Sequence, residues 1–512
     1  MPMLDRAALD LALDGLPRRL PGPGGVAGVV HEGRVIARLA WGCEDISTAR
    51  PMTAESLFPI CSITKQFTCA ALLEAVGDTS RLDARVADHL PNFTGTLPTV
   101  AQMAHNQSGL RDSWALTVLH GAQPEGRFEH DDAPRLFAQM RTGHFAPGTH
   151  YSYCNANFRI ISDLLEDATD TPIAQHYDRL FDRFGMETAR LAADTSLPLD
   201  TAPYEGNADT GWLRAINRIW WQGDAGLAAS LDDMLAYEQA IDAMRDDPGS
   251  IYGRLSAPVT FADGAPARYG WGLAREDLAG IALTGHGGAL RGWRSRRIHA
   301  AAERLSVVVM VNHDGNAHAA AQHLLRAALG EAEPARTTPD ADWHGDWIDD
   351  DSGLLASIGA DGLRWAAGNG AEALGQVDAN RLTNAGTDVT RNGDGVTLSR
   401  PGENLRATLR PVSGVATHDI AGAYHCAETG STMTVAQNGP AWTARFDGLL
   451  GQGPAEPMEP VGTDIWAMYS RRGMDAAPPG RWTVQVERDT DGRIAGLVVG
   501  CWLARKLAFR RT

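Results

Sequence analysis

Two periodicities of apolar residues divide the first two thirds of the chain into strands and helices. Residues 25–30 and 34–41 are β-rich runs around a hairpin signal, and the nearly continuous apolar run 305–312 predicts a central strand. Stripes with a 3.6-residue period predict helices. The predicted helices are 62–76, 158–165, 231–244 and 319–329, and further strands are predicted at 269–273 and 282–283. Strands at both ends with helices between them predict one sheet covered by helices.

The pattern changes at Gly330. The following stretch contains Pro334 and Pro339 and is typical of a linker. Short β runs separated by Gly, Asn and Asp come after it, and they predict barrels or sandwiches with a boundary near residue 416. The predicted organisation is a first domain over 1–330, a linker over 331–342, and two β domains over 343–416 and 417–512.

Composition and charge exclude several functions. The chain has 512 residues, which suggests about three domains. Its 46 basic and 63 acidic residues give a net charge of −17, so nucleic acid is not an expected partner. The apolar runs are too short for a membrane span and the first residues do not resemble a signal peptide, so we expect a cytoplasmic protein. The six cysteines and sixteen histidines show no ligand spacing, so we expect neither metal nor cofactor.

Ser62 and Lys65 are the first candidate pair for chemistry. Residues three apart share a helix face, so the hydroxyl and the amine can approach one another. A serine becomes a nucleophile when a neighbouring base removes its proton, and a lysine can be that base when burial lowers its pKa. The free N–H groups at a helix N-terminus can also stabilise an oxyanion. Taken alone, the pair also fits an ordinary N-cap serine followed by a solvated lysine.

Two further motifs follow in the chain. Tyr153 and Asn155 come after a Pro-Gly loop and before a predicted helix; the phenol can relay protons, and the amide can fix the lysine. His286, Gly287 and Gly288 lie where a strand should enter or leave a site, and the glycines allow a substrate backbone to approach closely. Each motif alone also fits a packed loop or an exposed turn.

Together, the order Ser-x-x-Lys, Tyr-x-Asn and His-Gly-Gly resembles the penicillin-recognising serine enzymes. The resemblance extends over about residues 20–330. It includes 58–68 around the nucleophile, 105–110, 145–155, 224–233, 269–272 and Val311-Asn312. It implies an α+β catalytic domain of the β-lactamase/DD-peptidase type, with an antiparallel sheet covered by helices.

The third motif departs from the Lys-Thr-Gly of many family members. Without the lysine, a free C-terminal carboxylate is a less suitable group to recognise, so a β-lactamase or carboxypeptidase function is less favoured. His-x-Gly is similar to the motif of the bacterial D-aminopeptidases of this family. That resemblance implies two antiparallel β-barrel domains after the catalytic domain, a homodimer, and inhibition by β-lactam-like compounds.

The same resemblance implies release of a small N-terminal D-residue (D-Ala, D-Ser or Gly) from peptides, amides and esters through an acyl-enzyme. Ser62 is then the nucleophile, and Lys65 or Tyr153 is the base. Asn155, His286, Gly287 and Gly288 bind substrate, and the backbone N–H of Ala289 joins that of Ser62 in the oxyanion hole.

The resembling enzymes extend a loop from the last barrel into the active site. The candidate here is the loop 471–480, stiffened by two prolines, in which Asp475 could pair with the substrate ammonium. It also fits a surface loop with a solvated aspartate. Two alternative functions stay open. One is an esterase or D-amino-acid amidase on the same fold, and the other is a non-catalytic protein that binds small ligands.

Overall fold

The fold is described by a computed structural model that covers residues 4–333, 338–365, 370–476 and 478–512. The first domain contains thirteen strands in the described residues. They are β1 (Gly24–His31), β2 (Arg34–Asp45), β3 (Arg50–Pro51), β4 (Phe58–Pro59), β5 (Arg190–Leu191), β6 (Tyr204–Asn207), β7 (Gly211–Arg214), β8 (Leu227–Ala229), β9 (Tyr269–Gly270), β10 (Leu273–Leu278), β11 (Ile281–Leu290), β12 (Trp293–Ala300) and β13 (Leu305–Val311). Eight of them form an antiparallel sheet of order β3-β2-β1-β13-β12-β11-β10-β9.

Helices cover both faces of this sheet. They are α1 (Arg6–Arg19), α2 (Thr64–Val76), α3 (Val86–His89), α4 (Val100–Ala104), α5 (Ser113–Leu119), α6 (Asp132–Phe137), α7 (Asn155–Thr169), α8 (Ile173–Phe184), α9 (Leu231–Met244), α10 (Ile251–Ser256) and α11 (Ala317–Leu329). No helix of the described residues is both long enough and apolar enough to cross a bilayer.

Strand β13 shows why the run 305–312 lacks alternation. Val307 and Val309 pack with α1 and α11 on one face, whereas Val308 and Met310 belong to the core on the other face. A strand buried on both sides has no solvent-facing positions, so its sequence reads as continuously apolar. The predicted central position is confirmed, because β13 is the fourth of eight strands.

The strand predicted at 269–273 is instead divided into β9 and β10. Trp271 has φ 52° and Gly272 has φ 75°, so the chain turns there. A Cβ on Gly272 would overlap the backbone of Lys65. The strand breaks because it passes directly against the start of α2, a contact between distant segments that local periodicity does not encode.

Two β units follow. The first contains β14 (Gly345–Asp349), β15 (Leu354–Gly359), β16 (Gly362–Arg364), β17 (Gly375–Asp378), β18 (Arg381–Thr383), β19 (Asp388–Asn392), β20 (Gly395–Arg400) and β21 (Leu405–Pro411). The second contains β22 (Gly422–Cys426), β23 (Ser431–Asn438), β24 (Ala441–Gly448), β25 (Gly451–Gln452), β26 (Glu456–Gly462), β27 (Ile465–Tyr469), β28 (Arg481–Arg488), β29 (Ile494–Cys501) and β30 (Ala504–Arg511). The proposed boundary near residue 416 falls between β21 and β22. Residues 334–337 of the predicted linker lie outside the described residues.

The two β units differ in closure. The second is a closed eight-stranded barrel, because β23 pairs both with β22 and with β24. The first is a curled sheet in half-barrel form, of order β16-β15-β14-β21-β20-β19-β18-β17. The predicted architecture, a β-lactamase-like domain followed by antiparallel β domains, is confirmed.

Candidate active site

Ser62 lies in the 3₁₀ turn Cys61–Ile63 that leads into α2. The preceding residue, Cys61, has φ 51°, a conformation that is rare for residues other than glycine. Its neighbour Ile60 is held on both sides, since its N–H donates to the Leu227 carbonyl at 2.9 Å and its carbonyl accepts from Ser295 Oγ at 3.1 Å. These bonds clamp the turn and fix the position of the Ser62 hydroxyl.

Lys65 lies one turn further on and is fully buried. Its Nζ donates to Ser62 Oγ at 3.0 Å, to Asn155 Oδ1 at 2.8 Å and to the Asp224 carbonyl at 2.7 Å. Burial lowers the pKa of Lys65 to about 8. A substantial fraction of the amine is therefore neutral near physiological pH, which a solvated lysine does not achieve.

Tyr153 and Asn155 stand where the chain enters α7. The Lys65 ammonium lies 5.0 Å from the centre of the Tyr153 ring. Burial raises the pKa of Tyr153 well above its ordinary value, and a hydrogen bond with Ser62 opposes that shift. The phenol is therefore neutral and able to donate a proton. The structure brings Ser62, Lys65, Tyr153 and Asn155 together in one cluster.

A second part of the cavity wall is formed by strand β11. It consists of His286, Gly287, Gly288 and Ala289. Strand β10 pairs with β11 only from Ile281 to Gly285, so no strand of the described residues pairs with the edge that follows. A Cβ on Gly288 would overlap Ser295 Oγ and the Ile60 carbonyl. Gly288 thus allows β11 to approach the turn that carries Ser62, and a larger residue would separate the two.

His286 is a neutral side chain. Burial lowers its pKa to about 3, and the charge of Lys65 adds to the shift. Its Nδ1 lies 2.6 Å from the Gly287 carbonyl, which can only accept, so Nδ1 carries the hydrogen. Nε2 therefore accepts from the Tyr269 hydroxyl at 2.9 Å. His286 supplies polarity here and no permanent positive charge.

Asp475 lies against the same cavity, with its neighbours Ala476, Pro478 and Pro479. The Arg291 N–H donates to the Asp475 carbonyl at 2.9 Å, which fixes the loop against the end of β11. Burial, together with the nearby Asp112 carboxylate, raises the pKa of Asp475 to about 7. The predicted loop therefore contributes residues to the site; Ala477 of that loop lies outside the described residues.

The cavity has a volume of about 590 Å³. The sequence-predicted residues in its lining are Ser62, Tyr153, Asn155, His286, Gly287, Gly288, Ala289 and Asp475. Lys65 lies beneath the surface, in contact with Ser62 and Asn155. All nine candidate residues are thus gathered at one place.

Several residues of the site were not found from the sequence. Asp112 accepts hydrogen bonds from Asn155, and Arg294 forms an ion pair with Asp314 at 2.8 Å on the cavity wall. Asp112 follows the matched segment 105–110 by two residues, which was the only available signal. Asp224 acts through its backbone carbonyl, so its side chain gave no indication of that contact.

Comparisons with known proteins agree with this arrangement. A family model described as "Beta-lactamase" matches residues 13–332, and one described as "D-aminopeptidase, domain B" matches residues 336–510. The first match covers more than half of the chain and contains the Ser62–Lys65 pair and the open edge of β11. These features define the class of the protein as β-lactamase-like.

Relatives that match the chain over its full length identify the family more specifically. The D-aminopeptidase of Cereibacter sphaeroides is 51% identical over 99% of both chains, and that of Brucella canis is 45% identical over 100% of both. The crystal structure of the D-amino acid amidase from Ochrobactrum anthropi SV3 complexed with L-phenylalanine has a TM-score of 0.51 and 18% identity, and covers 63% of this chain and 98% of that one. The chain belongs to the D-aminopeptidase family within the β-lactamase-like proteins.

Proposed function

We propose that this protein is a D-aminopeptidase that releases a small N-terminal D-residue from peptides, amides and esters. The observation that carries the proposal is the contact between the buried Lys65 amine and the Ser62 hydroxyl at 3.0 Å. The full-length similarity to proteins named D-aminopeptidase supports the substrate class.

In the proposed reaction, Ser62 Oγ attacks the carbonyl carbon while its proton passes to Lys65 Nζ. The new C–O bond gives a tetrahedral oxyanion, which the backbone N–H groups of Ser62 and Ala289 stabilise. Its collapse breaks the C–N bond, and Tyr153 relays a proton to the leaving amine. Water then attacks the acyl-enzyme, and Ser62 recovers its proton.

The pKa shifts support Lys65 as the base. Burial moves the pKa of Lys65 down toward neutrality, whereas it moves that of Tyr153 further up. A base must be unprotonated at the working pH, and the best catalytic pKa lies close to that pH. Tyr153, which keeps its proton, is suited to the relay.

Asp475 is the proposed acceptor for the substrate ammonium. Its place in the cavity wall, on a loop from the last barrel, supports this role. An ammonium that binds there gains a partner in a partly dry cleft, where opposite charges attract more strongly than in water. Ala476, Pro478 and Pro479 of the same loop also line the cavity, and we expect the loop to exclude a longer N-terminal extension.

The first experiment compares D- and L-alanine p-nitroanilide and measures the mass of the acyl-enzyme after rapid quenching. We expect a D-alanyl adduct on Ser62 and a much faster burst with the D-substrate. Ser62→Ala should lower kcat by roughly a thousandfold or more, and Ser80→Ala, at an exposed serine away from the cavity, should not. Equal rates with both enantiomers would favour a generic esterase, and absence of any adduct would favour a binding protein.

The homodimer, the cytoplasmic location and inhibition by β-lactam-like compounds stay predictions. Each has a direct measurement: sedimentation for the dimer, cell fractionation for the location, and a shift in mass after incubation with a β-lactam.

A further inference from the structure

Asp112 lies in the wall of the cavity, and its carboxylate takes no part in the reaction steps proposed above. The residue is 1% exposed, and its carboxylate accepts four hydrogen bonds. Oδ1 accepts from the backbone N–H groups of Trp114 at 3.0 Å and Ala115 at 3.1 Å, which makes Asp112 the N-cap of α5. Oδ2 accepts from the backbone N of Asn155 at 2.7 Å and from its Nδ2 at 2.8 Å.

These contacts determine which way the Asn155 amide faces. An ionised carboxylate can only accept hydrogen bonds, so Asn155 must direct Nδ2 toward Asp112. Its Oδ1 is then left on the other side, where it accepts from Lys65 Nζ at 2.8 Å. The orientation of this amide is therefore a consequence of the charge at position 112.

The orientation in turn determines where the lysine lone pair points. A neutral amine has two N–H donors and one lone pair. Asn155 Oδ1 and the Asp224 carbonyl, 2.7 Å away, accept both donors. The remaining direction faces Ser62 Oγ at 3.0 Å, so the lone pair meets the hydroxyl whose proton it must accept.

We propose that Asp112 is a positioning residue that holds the Asn155 amide in the orientation directing the lone pair of Lys65 at Ser62. The proposal rests on the proposed function, in which Lys65 is the base. The backbone N–H of Asp112 donates to the Leu503 carbonyl at 3.0 Å, so the closed C-terminal barrel supports this residue from behind.

The test is Asp112→Asn. Asparagine caps helices about as well as aspartate, so its Oδ1 can keep the bonds to Trp114 and Ala115 and the fold is retained. Its Nδ2 then faces both donors of Asn155, the backbone N–H and the side-chain Nδ2. The backbone N–H loses its acceptor at some cost in stability, and the side-chain amide must turn and present its own Nδ2 to Lys65. We expect kcat for D-alaninamide to fall about a hundredfold, while KM changes by less than about threefold.

The matched control is Asp233→Asn. Asp233 is also buried, at 3% exposed, and belongs to the capping box at the start of α9. Because it contacts Ser230 and Thr188 and does not line the cavity, we expect this variant to lose stability while keeping the wild-type kcat.

A double variant, Asp112→Asn with Asn155→Asp, exchanges donor and acceptor. The carboxylate introduced at position 155 can accept both from the new amide at position 112 and from Lys65. Because a carboxylate beside Lys65 also raises the pKa of that amine, the two variants are compared at the high-pH plateau of kcat. We expect the double variant to recover there at least about tenfold of the kcat lost in the single variant, a result that a purely structural role would not give.

Three results would overturn the proposal. They are a wild-type kcat in folded Asp112→Asn, no recovery in the double variant, or unfolding of both variants by circular dichroism, since Asp112 would then be a structural residue. The acyl adduct on Ser62 of the unaltered protein is measured in parallel. Its absence would refute the serine mechanism itself and so separates the two failures.

Discussion

In the proposed mechanism, Lys65 determines the pH range in which Ser62 is activated. The residue is buried, and no carboxylate of the described residues lies at hydrogen-bond distance from its Nζ. The three acceptors of that nitrogen are an alcohol, an amide and a carbonyl. Such neutral groups only partly replace water, so the charged form is disfavoured and the pKa falls to about 8. The neutral form of Lys65, which is the active form in the proposed mechanism, therefore accumulates as the pH rises through 8.

We expect kcat/KM for an N-acetylated D-alanine ester to rise with pH through an apparent pKa of about 8. This substrate has no titratable amine, so its profile reports the enzyme alone. Steady-state rates between pH 5 and 10 provide the measurement. A profile that is flat from pH 6 to 10 would show that Lys65 is not the base.

Asp475 adds a second titration for substrates with a free ammonium. Its pKa is raised to about 7, so the carboxylate that would pair with the ammonium is lost as the pH falls through 7. Below that pH, log kcat/KM for D-alaninamide should fall with a slope of about two, against about one for the N-acetylated ester.

For D-alaninamide, Asp475→Asn should reduce the slope of log kcat/KM against pH to the slope seen with the ester. It should also raise the KM for D-alaninamide about 30-fold, because a buried charge partner is lost. The N-acetylated ester should be unaffected. An equal loss of kcat/KM on both substrates would show that Asp475 does not recognise the substrate ammonium.

At the scale of the elements, the site depends on the close packing of β11 against the turn before α2. Gly288 makes this contact possible because a Cβ there would overlap Ser295 and the Ile60 carbonyl. At Gly287, one residue earlier, the nearest atom to an added Cβ is the Ser295 carbonyl oxygen at 3.7 Å, which is an ordinary contact. The two neighbouring glycines are therefore not equivalent.

We expect Gly288→Ala to lower the free energy of unfolding by about 1–3 kcal/mol, because β11 or the turn must shift. Gly287→Ala should change it by less than about 1 kcal/mol. Urea unfolding followed by fluorescence measures both. A Gly287→Ala variant as unstable as Gly288→Ala would show that the glycines serve the backbone conformation of β11 and not the close approach.

Part of the fold and of the candidate site could be predicted from the sequence alone. Strong periodicity predicted the helix 231–244 with the bounds that the structure has, and it predicted β13 within one residue. The three motifs predicted which side chains gather around Ser62. The orientation of Asn155, the break at Gly272 and the contact through the Asp224 carbonyl depend on packing between distant segments, and no local pattern of residue types encodes them.

At the scale of the molecule, the loop 471–480 is fastened to the first domain by an ion-pair cluster. Arg472 pairs with Glu125, and with Glu205 at 2.5 Å. The adjacent Arg471 instead pairs with Glu456 of its own barrel at 3.6 Å. Of these two arginines, only Arg472 therefore joins the loop to the domain that carries Ser62.

We expect Arg472→Ala to raise KM for D-alaninamide about threefold to tenfold, because the loop that carries Asp475 is less firmly held. Arg471→Ala is the matched control and should leave KM unchanged. Since part of the cluster is exposed, 0.5 M NaCl should weaken the ion pairs. The KM of the wild type for D-alaninamide should then rise toward that of Arg472→Ala. A KM that neither Arg472→Ala nor salt alters would show that the ion pairs do not hold the loop.

The position of Asp475 near the end of the chain has a consequence for biosynthesis. During synthesis, Ser62 and Lys65 emerge from the ribosome long before the loop 471–480 that lines the cavity. Leu503, whose carbonyl accepts from the Asp112 N–H, emerges later still. The nascent protein thus contains the proposed nucleophile before it contains Asp475, the group proposed to select a free amine. In the proposed mechanism, selectivity for a free amine is therefore acquired late in synthesis, and a chain truncated before the final barrel would lack it.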